Sequence, residues 1–273
     1  MVASDPGGHS ADLDFLLETL VLADQELVQR AGTAIAIQSK PDASLVTEAD
    51  LASEQVIIER IQKHYPDDLI YSEEAGLSSR EKTPGQHIWI IDPLDGTTNF
   101  ANNYPFYCIS VARGVLHQQH QIEVLLGGVR DTPRRRTFYG IRGGGAFCDG
   151  KPLRVRPNRP FEQCFLVTGF YYQRDEELQQ QVQRFSRIVQ RCQSIRRDGA
   201  AALDLAYVAA GVYDAFWEVG LQPWDVAAGS LLVQEAGGLV ANYPGHQGPA
   251  YDIEALGCMA GSASTVDQLA GLL

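Results

Sequence analysis

Residues 89–100 read WIIDPLDGTTNF, an apolar run that meets Asp92, breaks at Pro93 and supplies a second carboxylate at Asp95. Pro93 has no N–H for a sheet ladder, so the strand is expected to end there and the chain to turn. Such a turn can aim both carboxylates and the Leu94 carbonyl at one point. Oxygen donors of this mixed kind suit a hard cation such as Mg²⁺, leaving room for water and a phosphate. Gly96-Thr97-Thr98-Asn99 then lets the backbone pass close to an anion, the more so if a helix starts there. A buried Asp capping a turn would explain Asp92-Pro93 alone, but it gives Asp95 and the strand end no purpose. Two more acidic sites follow the same logic. Glu73 and Glu74 close the run DLIYSEE, and Asp225 sits in the first turn of an apolar helix after Pro223 and Trp224. Taken singly, each reads equally well as a solvated strand end or a helix-dipole Asp.

The elements that must position these residues are legible from periodicity. Apolar residues at helical spacing predict a long amphipathic helix from about Leu13 to Ala36, followed by a loop at QSKPDAS. EADLASEQVIIERIQKHY predicts a second helix, with Thr47 as N-cap and Asp50 in the first turn. DLIYSEE and HIWIID read as strands. From Phe106 to about Arg156 four β-rich runs follow, the last containing a Cys-Asp-Gly-Lys hairpin signal. This N-terminal half (11–157) is expected to hold a large, mainly antiparallel sheet flanked by the first two helices. The C-terminal half (158–273) alternates strand and helix, ending in a strand and a helix, which predicts an α/β lobe. No linker separates the halves, so residues 1–273 read as a single domain.

The chain carries 273 residues, 45% of them hydrophobic and 21% charged, enough to bury a large core. A net charge of −12 argues against nucleic acid or an anionic membrane as the main partner. It argues less against small phosphates, because bound Mg²⁺ reverses the local sign. Five scattered cysteines without a C-x-x-C pair fit reduced thiols in a cytoplasm. No apolar segment approaches the ~20 residues of a membrane span. Three other features read as structural. Gly143-Gly144-Gly145 is a turn before a hairpin, His117 and His120 lack a third metal ligand, and Arg134-Arg135-Arg136 is a solvated strand start.

WIIDPLDGTTNF, the earlier SEE, LVTEAD and RRDGAAALDLAYVAAGVYDAFWEVGLQPWDVAAG resemble, in order and spacing, the inositol monophosphatase family of metal-dependent, lithium-sensitive phosphatases. The resemblance covers nearly the whole chain. It implies a layered αβαβα fold of the α/β (α+β) class, shared with fructose-1,6-bisphosphatase, and a homodimer. It implies that Glu73, Asp92 and the Leu94 carbonyl bind one Mg²⁺, while Asp92 bridges to a second held by Asp95 and Asp225. Two or three ions per site are implied, with Mn²⁺ as a substitute and Li⁺ as an inhibitor. Thr97 would help orient the attacking water, Asp50 would hydrogen-bond Thr97, and the amides of Gly96 and Thr97 would hold the phosphate. Glu218 would accept a hydrogen bond from a polyol hydroxyl, and Gly199, Ala200 and Ala201 would line the substrate beside Asp95 and Asp225.

Two departures from the family pattern bear on the substrate more than on the chemistry. Ala200 follows Gly199 where Thr or Ser is frequent, and the SKPDAS loop is short. The implied reaction is Mg²⁺-dependent hydrolysis of inositol monophosphate, a small phosphorylated polyol. Histidinol phosphate, fructose 1,6-bisphosphate and 3′-phosphoadenosine phosphates are alternatives for the same chemistry. A non-catalytic regulatory binding protein is the reading from a different class.

Overall fold

The computed structural model describes residues 9–33, 37–39, 45–79, 83–118, 121–170, 176–244 and 251–273. Strand β5 (His87–Asp95) shows how the layers arise. Its side chains alternate between two faces: Ile88 and Ile90 join one buried cluster, Trp89 and Ile91 another. A strand buried on both faces must be covered twice, which is why the run is apolar without polar alternation. On the Trp89 face lie α1 (His9–Arg30) and α2 (Glu48–His64). On the Ile88 face lie α5 (Ala201–Ala209) and α6 (Pro223–Glu235).

The first sheet has eight strands in the order β10-β9-β8-β7-β6-β5-β3-β4. Only β3 (Leu69–Ser72) and β5 pair in parallel; the other pairs are antiparallel. The remaining members are β4 (Gly76–Leu77), β6 (Cys108–Leu116), β7 (Ile122–Asp131), β8 (Arg136–Ile141), β9 (Gly145–Cys148) and β10 (Lys151–Pro152). The hairpin between β9 and β10 turns on Asp149 and Gly150, both at positive φ (49° and 78°), as the Asp-Gly pair predicts. The second sheet runs β12-β11-β13-β15-β14. It combines β11 (Phe165–Thr168), β12 (Ser194–Arg196), β13 (Ala215–Val219), β14 (Leu239–Asn242) and β15 (Gly257–Gly261). Its outer face packs with residues of α4 (Glu176–Val189) and α7 (Ala263–Ala270). The result is five alternating layers, αβαβα, with α6 buried along nearly its whole length between the sheets. Close approach of α6 depends on Gly127 of β7, where a Cβ would stand 2.9 Å from the Ala228 Cα.

Several local expectations need correction. Helix α1 stops at Arg30, because Gly32 takes a left-handed conformation (φ 72°) that ends a helix; residues 34–36 lie outside the described residues. Strand β5 does not end at Pro93. It continues to Asp95, with one extra residue between the pairs Asp92–Ser110 and Asp95–Cys108. A bulge accommodates a proline that a regular ladder would reject. The loop at QSKPDAS begins as strand: β1 (Ile37–Ser39) pairs antiparallel with β2 (Leu45–Thr47), while residues 40–44 lie outside the described residues. One strand was expected between α6 and α7 and two are present; GCMAG carries too little β-branched character to announce β15.

Candidate active site

The strand–bulge at Pro93 sets the geometry of the site. The Leu94 N–H donates to Asp92 Oδ1 at 3.0 Å, and the Ser53 hydroxyl donates to the Pro93 carbonyl at 2.8 Å. Both bonds satisfy groups that the interrupted ladder leaves over. Asp95 then points at the start of α5, where its Oδ2 accepts the Ala202 N–H at 2.7 Å. Gly96 follows at φ 94°, capping α3 (Thr97–Ala101), and a Cβ there would meet the Phe106 carbonyl at 3.1 Å and the Ala200 Cβ at 3.2 Å. Glycine is therefore needed for both dihedral and space, and the small side chain of Ala200 belongs to the same close contact.

Asp50 does two jobs from one position. Its Oδ2 accepts from the Thr47 N–H (2.8 Å) and hydroxyl (2.6 Å), completing a capping box on α2. Its Oδ1 accepts from the Thr97 hydroxyl at 2.9 Å, which also lies 3.0 Å from the Leu94 carbonyl. Asp225 repeats the pattern on α6, where its Oδ2 accepts the Gln222 N–H at 2.7 Å and Pro223 opens the helix. Glu73 sits in the turn after β3. That turn is fixed by Glu54, one helical turn beyond Asp50, whose Oε1 accepts the amides of Glu74 (3.1 Å) and Ala75 (3.0 Å) and the Ser72 hydroxyl.

These residues meet in one cleft with about 760 Å³ of empty space. Every candidate from the sequence lines it except Asp50: Glu73, Asp92, Leu94, Asp95, Gly96, Thr97, Gly199, Ala200, Ala201, Glu218 and Asp225. Asp50 stands behind Thr97, fully buried. Burial, reinforced by Glu73, Asp95 and Asp225, pushes the Asp92 carboxyl well above the usual range. Burial likewise raises Asp225, with Asp95 adding to it and the Gln222 amide opposing. Asp95 is pushed up to about 7, burial again leading and the Ala202 amide opposing. Three neighbouring acids driven towards neutrality by burial and mutual charge are what a divalent cation relieves. The donor set, carboxylates with the Leu94 carbonyl, fits Mg²⁺ or Mn²⁺ and offers no soft ligand. Among the described residues, no three His, Cys, Asp or Glu side chains stand as a ready-made ligand group. Bare carboxylates repel, and one oxygen each of Asp95 and Asp225 is held by a backbone amide.

On the opposite wall Glu218 is half-buried and raised to about 8, chiefly by burial, with Arg197 pulling it back. Its carboxylate lies over Gly169, where a Cβ would come within 2.1 Å of both oxygens. Sequence reasoning missed Glu54, Asn99, Gly169 and Arg197. Glu54 could have been found from its i, i+4 spacing to Asp50 on an apolar helix. Asn99 Nδ2 ties the cleft together, donating to the carbonyls of Phe106 and Asp198, both at 2.7 Å. Of the features read as structural, Gly143 and Gly144 lie in the turn that joins β8 to β9, and His117 Nε2 stands 2.8 Å from Glu123 Oε2; His120 lies outside the described residues.

Five layers and an acidic, oxygen-lined cleft at the strand ends define the class, an α/β protein of the inositol monophosphatase fold. Solved structures share this fold: a suhB protein from Bartonella henselae superposes with TM-score 0.85 at 32% identity, covering 96% of this chain and 98% of that one. An inositol monophosphatase from Anabaena superposes with TM-score 0.84 at 34% identity over 97% and 96%. The chain belongs to the inositol monophosphatase family, whose sequence model matches residues 13–272. It is 43% identical to the Nus factor SuhB of Pseudomonas aeruginosa over 77% of each chain. It is 39% identical to the inositol-1-monophosphatase of Synechocystis over 85% of this chain and 78% of that one.

Proposed function

We propose that this chain is a Mg²⁺-dependent phosphomonoesterase acting on small polyol phosphates, inositol monophosphate foremost. The observation that carries the reading is the convergence of Glu73, Asp92, Asp95 and Asp225, from three separate elements, on one cleft. Glu73, Asp92, Asp95, Asp225 and the Leu94 carbonyl would hold the cations. Bound Mg²⁺ would supply charge neutralisation of the phosphate and of the departing alkoxide, and a lowered pKa for the attacking water. The chain's own residues orient the reactants. With its proton directed to Asp50, the Thr97 oxygen is left to accept a hydrogen bond from the attacking water. Gly96, at φ 94° and packed against Phe106, Tyr107 and Ala200, fixes the backbone from which its own amide and that of Thr97 would hold the phosphate. Glu218 faces the alcohol part of the substrate and accepts from a hydroxyl.

The test is phosphate release from a panel of esters with added Mg²⁺: inositol 1-phosphate, histidinol phosphate, fructose 1,6-bisphosphate and 3′-phosphoadenosine 5′-phosphate. Release should require Mg²⁺ or Mn²⁺, fall with Li⁺, and be most efficient for inositol 1-phosphate. Absence of release from every ester would overturn the enzyme reading in favour of a binding protein. The homodimer and a cytoplasmic setting belong to the same proposal, the first checked by sedimentation. No helix among the described residues is long and apolar enough to cross a membrane.

A second reading, a Nus-factor role beside catalysis, is favoured by the 43% identity with the Pseudomonas protein of that name. It withdraws the expectation that nucleic acid plays no part. RNA retention measured at two salt concentrations tests it, since binding through phosphates must weaken steeply with salt.

A further inference from the structure

Arg197 is a cation in an acidic cleft, near enough to Glu218 to lower its pKa but within ion-pair distance of no carboxylate among the described residues. It lines the cleft beside Gly199 and Glu218, and its side chain is exposed. It makes no ion pair with any described residue, although Asp198 is its neighbour in sequence. The Asp198 carboxylate is occupied elsewhere, accepting the Tyr213 hydroxyl. The Asp198 carbonyl is occupied too, by Asn99 Nδ2 at 2.7 Å, with the Gly199 carbonyl 3.4 Å from the same nitrogen. The backbone immediately after Arg197 is thus pinned, by Asn99 through the main chain and by Tyr213 through the Asp198 side chain. Its Nη1 folds back over Gly199, standing 2.8 Å from where a Cβ would be, which a left-handed glycine at φ 84° permits.

A pinned backbone presenting an unpaired guanidinium to a substrate cleft is suited to an anion. The reacting phosphate is not that anion, because the acidic wall is built to receive it through cations. Building on the phosphatase reading above, we propose that Arg197 favours, for a given polyol, the phosphate ester that carries a second anionic group over the one that lacks it. Glu218 and Arg197 then divide the alcohol end of the substrate, Glu218 taking a hydroxyl and Arg197 the distal charge. A second phosphate and a carboxylate share the chemistry that Arg197 recognises.

Two matched pairs test this with the full chain and saturating Mg²⁺: inositol 1,4-bisphosphate against inositol 1-phosphate, and fructose 1,6-bisphosphate against fructose 1-phosphate. The quantity read is the ratio of kcat/KM within each pair. For Arg197→Ala the ratio should fall about tenfold in at least one pair, mostly through KM, and Arg197→Lys should retain part of it. In the unaltered protein the ratio should also fall as salt rises from low to high, because an exposed guanidinium is screened. Equal losses on both members of each pair, or a salt-independent ratio, would overturn the role of Arg197 while leaving the phosphatase reading intact. If the unaltered protein turns over neither member of either pair but releases phosphate from another ester of the panel, this inference fails and the phosphatase reading stands; release from no ester ends both.

Discussion

The two walls of the cleft are built differently. The wall from the eight-stranded sheet and α2 carries Asp50, Glu54, Asp92 and Asp95, all buried and each engaged by backbone amides or by hydroxyls. The wall from the five-stranded sheet carries Arg197, exposed, and Glu218, half-buried over a glycine. A side chain held by several short bonds in a dry setting has one position, which suits chemistry that tolerates no misplacement. A side chain at a wet rim can adapt. Under the proposed function, the contrast would assign reaction chemistry to the first wall and choice of substrate to the second.

Substitutions should separate the walls in order of effect. Asp95→Asn removes one ligand charge and keeps the shape, and should lower kcat by about 10³-fold or more with weakened Mg²⁺ activation. Steady-state kinetics over a Mg²⁺ titration checks this. Asp50→Asn should lower kcat by about 10²-fold, since it loosens both the α2 cap and Thr97, and should cost about 1 kcal/mol of stability in denaturant melts. Gly169→Ala pushes the Glu218 carboxylate aside, and should raise KM a few-fold, about fivefold, with kcat nearly kept. Were Gly169→Ala to abolish kcat, the division between the walls would fail.

The acidic pocket also fixes a pH dependence. Folded-state values of Asp92, Asp95 and Asp225 lie above the ordinary carboxylate value of 3.8, Asp95 at about 7. The contribution of Asp95 to stability is therefore full below pH 3.8 and is lost as pH rises through about 7 in the metal-free protein, and the contributions of Asp92 and Asp225 are lost in the same direction. Added Mg²⁺ should restore that loss, so the gain in melting temperature on adding Mg²⁺ should be greater at pH 8 than at pH 5.5. Protons compete with the metal on the acid side, so half-activation should need more Mg²⁺ below about pH 7. A Mg²⁺ requirement independent of pH would contradict this.

Much of the first wall was legible in the sequence because its signals are local. WIIDPLDGTTNF places two carboxylates and a glycine within one strand and turn, and Thr47 to Asp50 spells a capping box. The course of β5 past Pro93 was not legible, since a bulge depends on the partner strand β6 rather than on the string itself. The second wall was harder. Arg197 gains its meaning from Tyr213 and Asn99, which occupy Asp198 from distant parts of the chain. Gly169 gains its meaning only from Glu218 lying across it. Spacing reveals what one segment does with its own groups, whereas contacts between remote segments must be seen in three dimensions.

The most direct test of the account is anomalous scattering from a crystal soaked in Mn²⁺. Strong peaks enclosed by Glu73, Asp92, Asp95, Asp225 and the Leu94 carbonyl are the predicted result. A well-ordered cleft with no peak among those oxygens would contradict it.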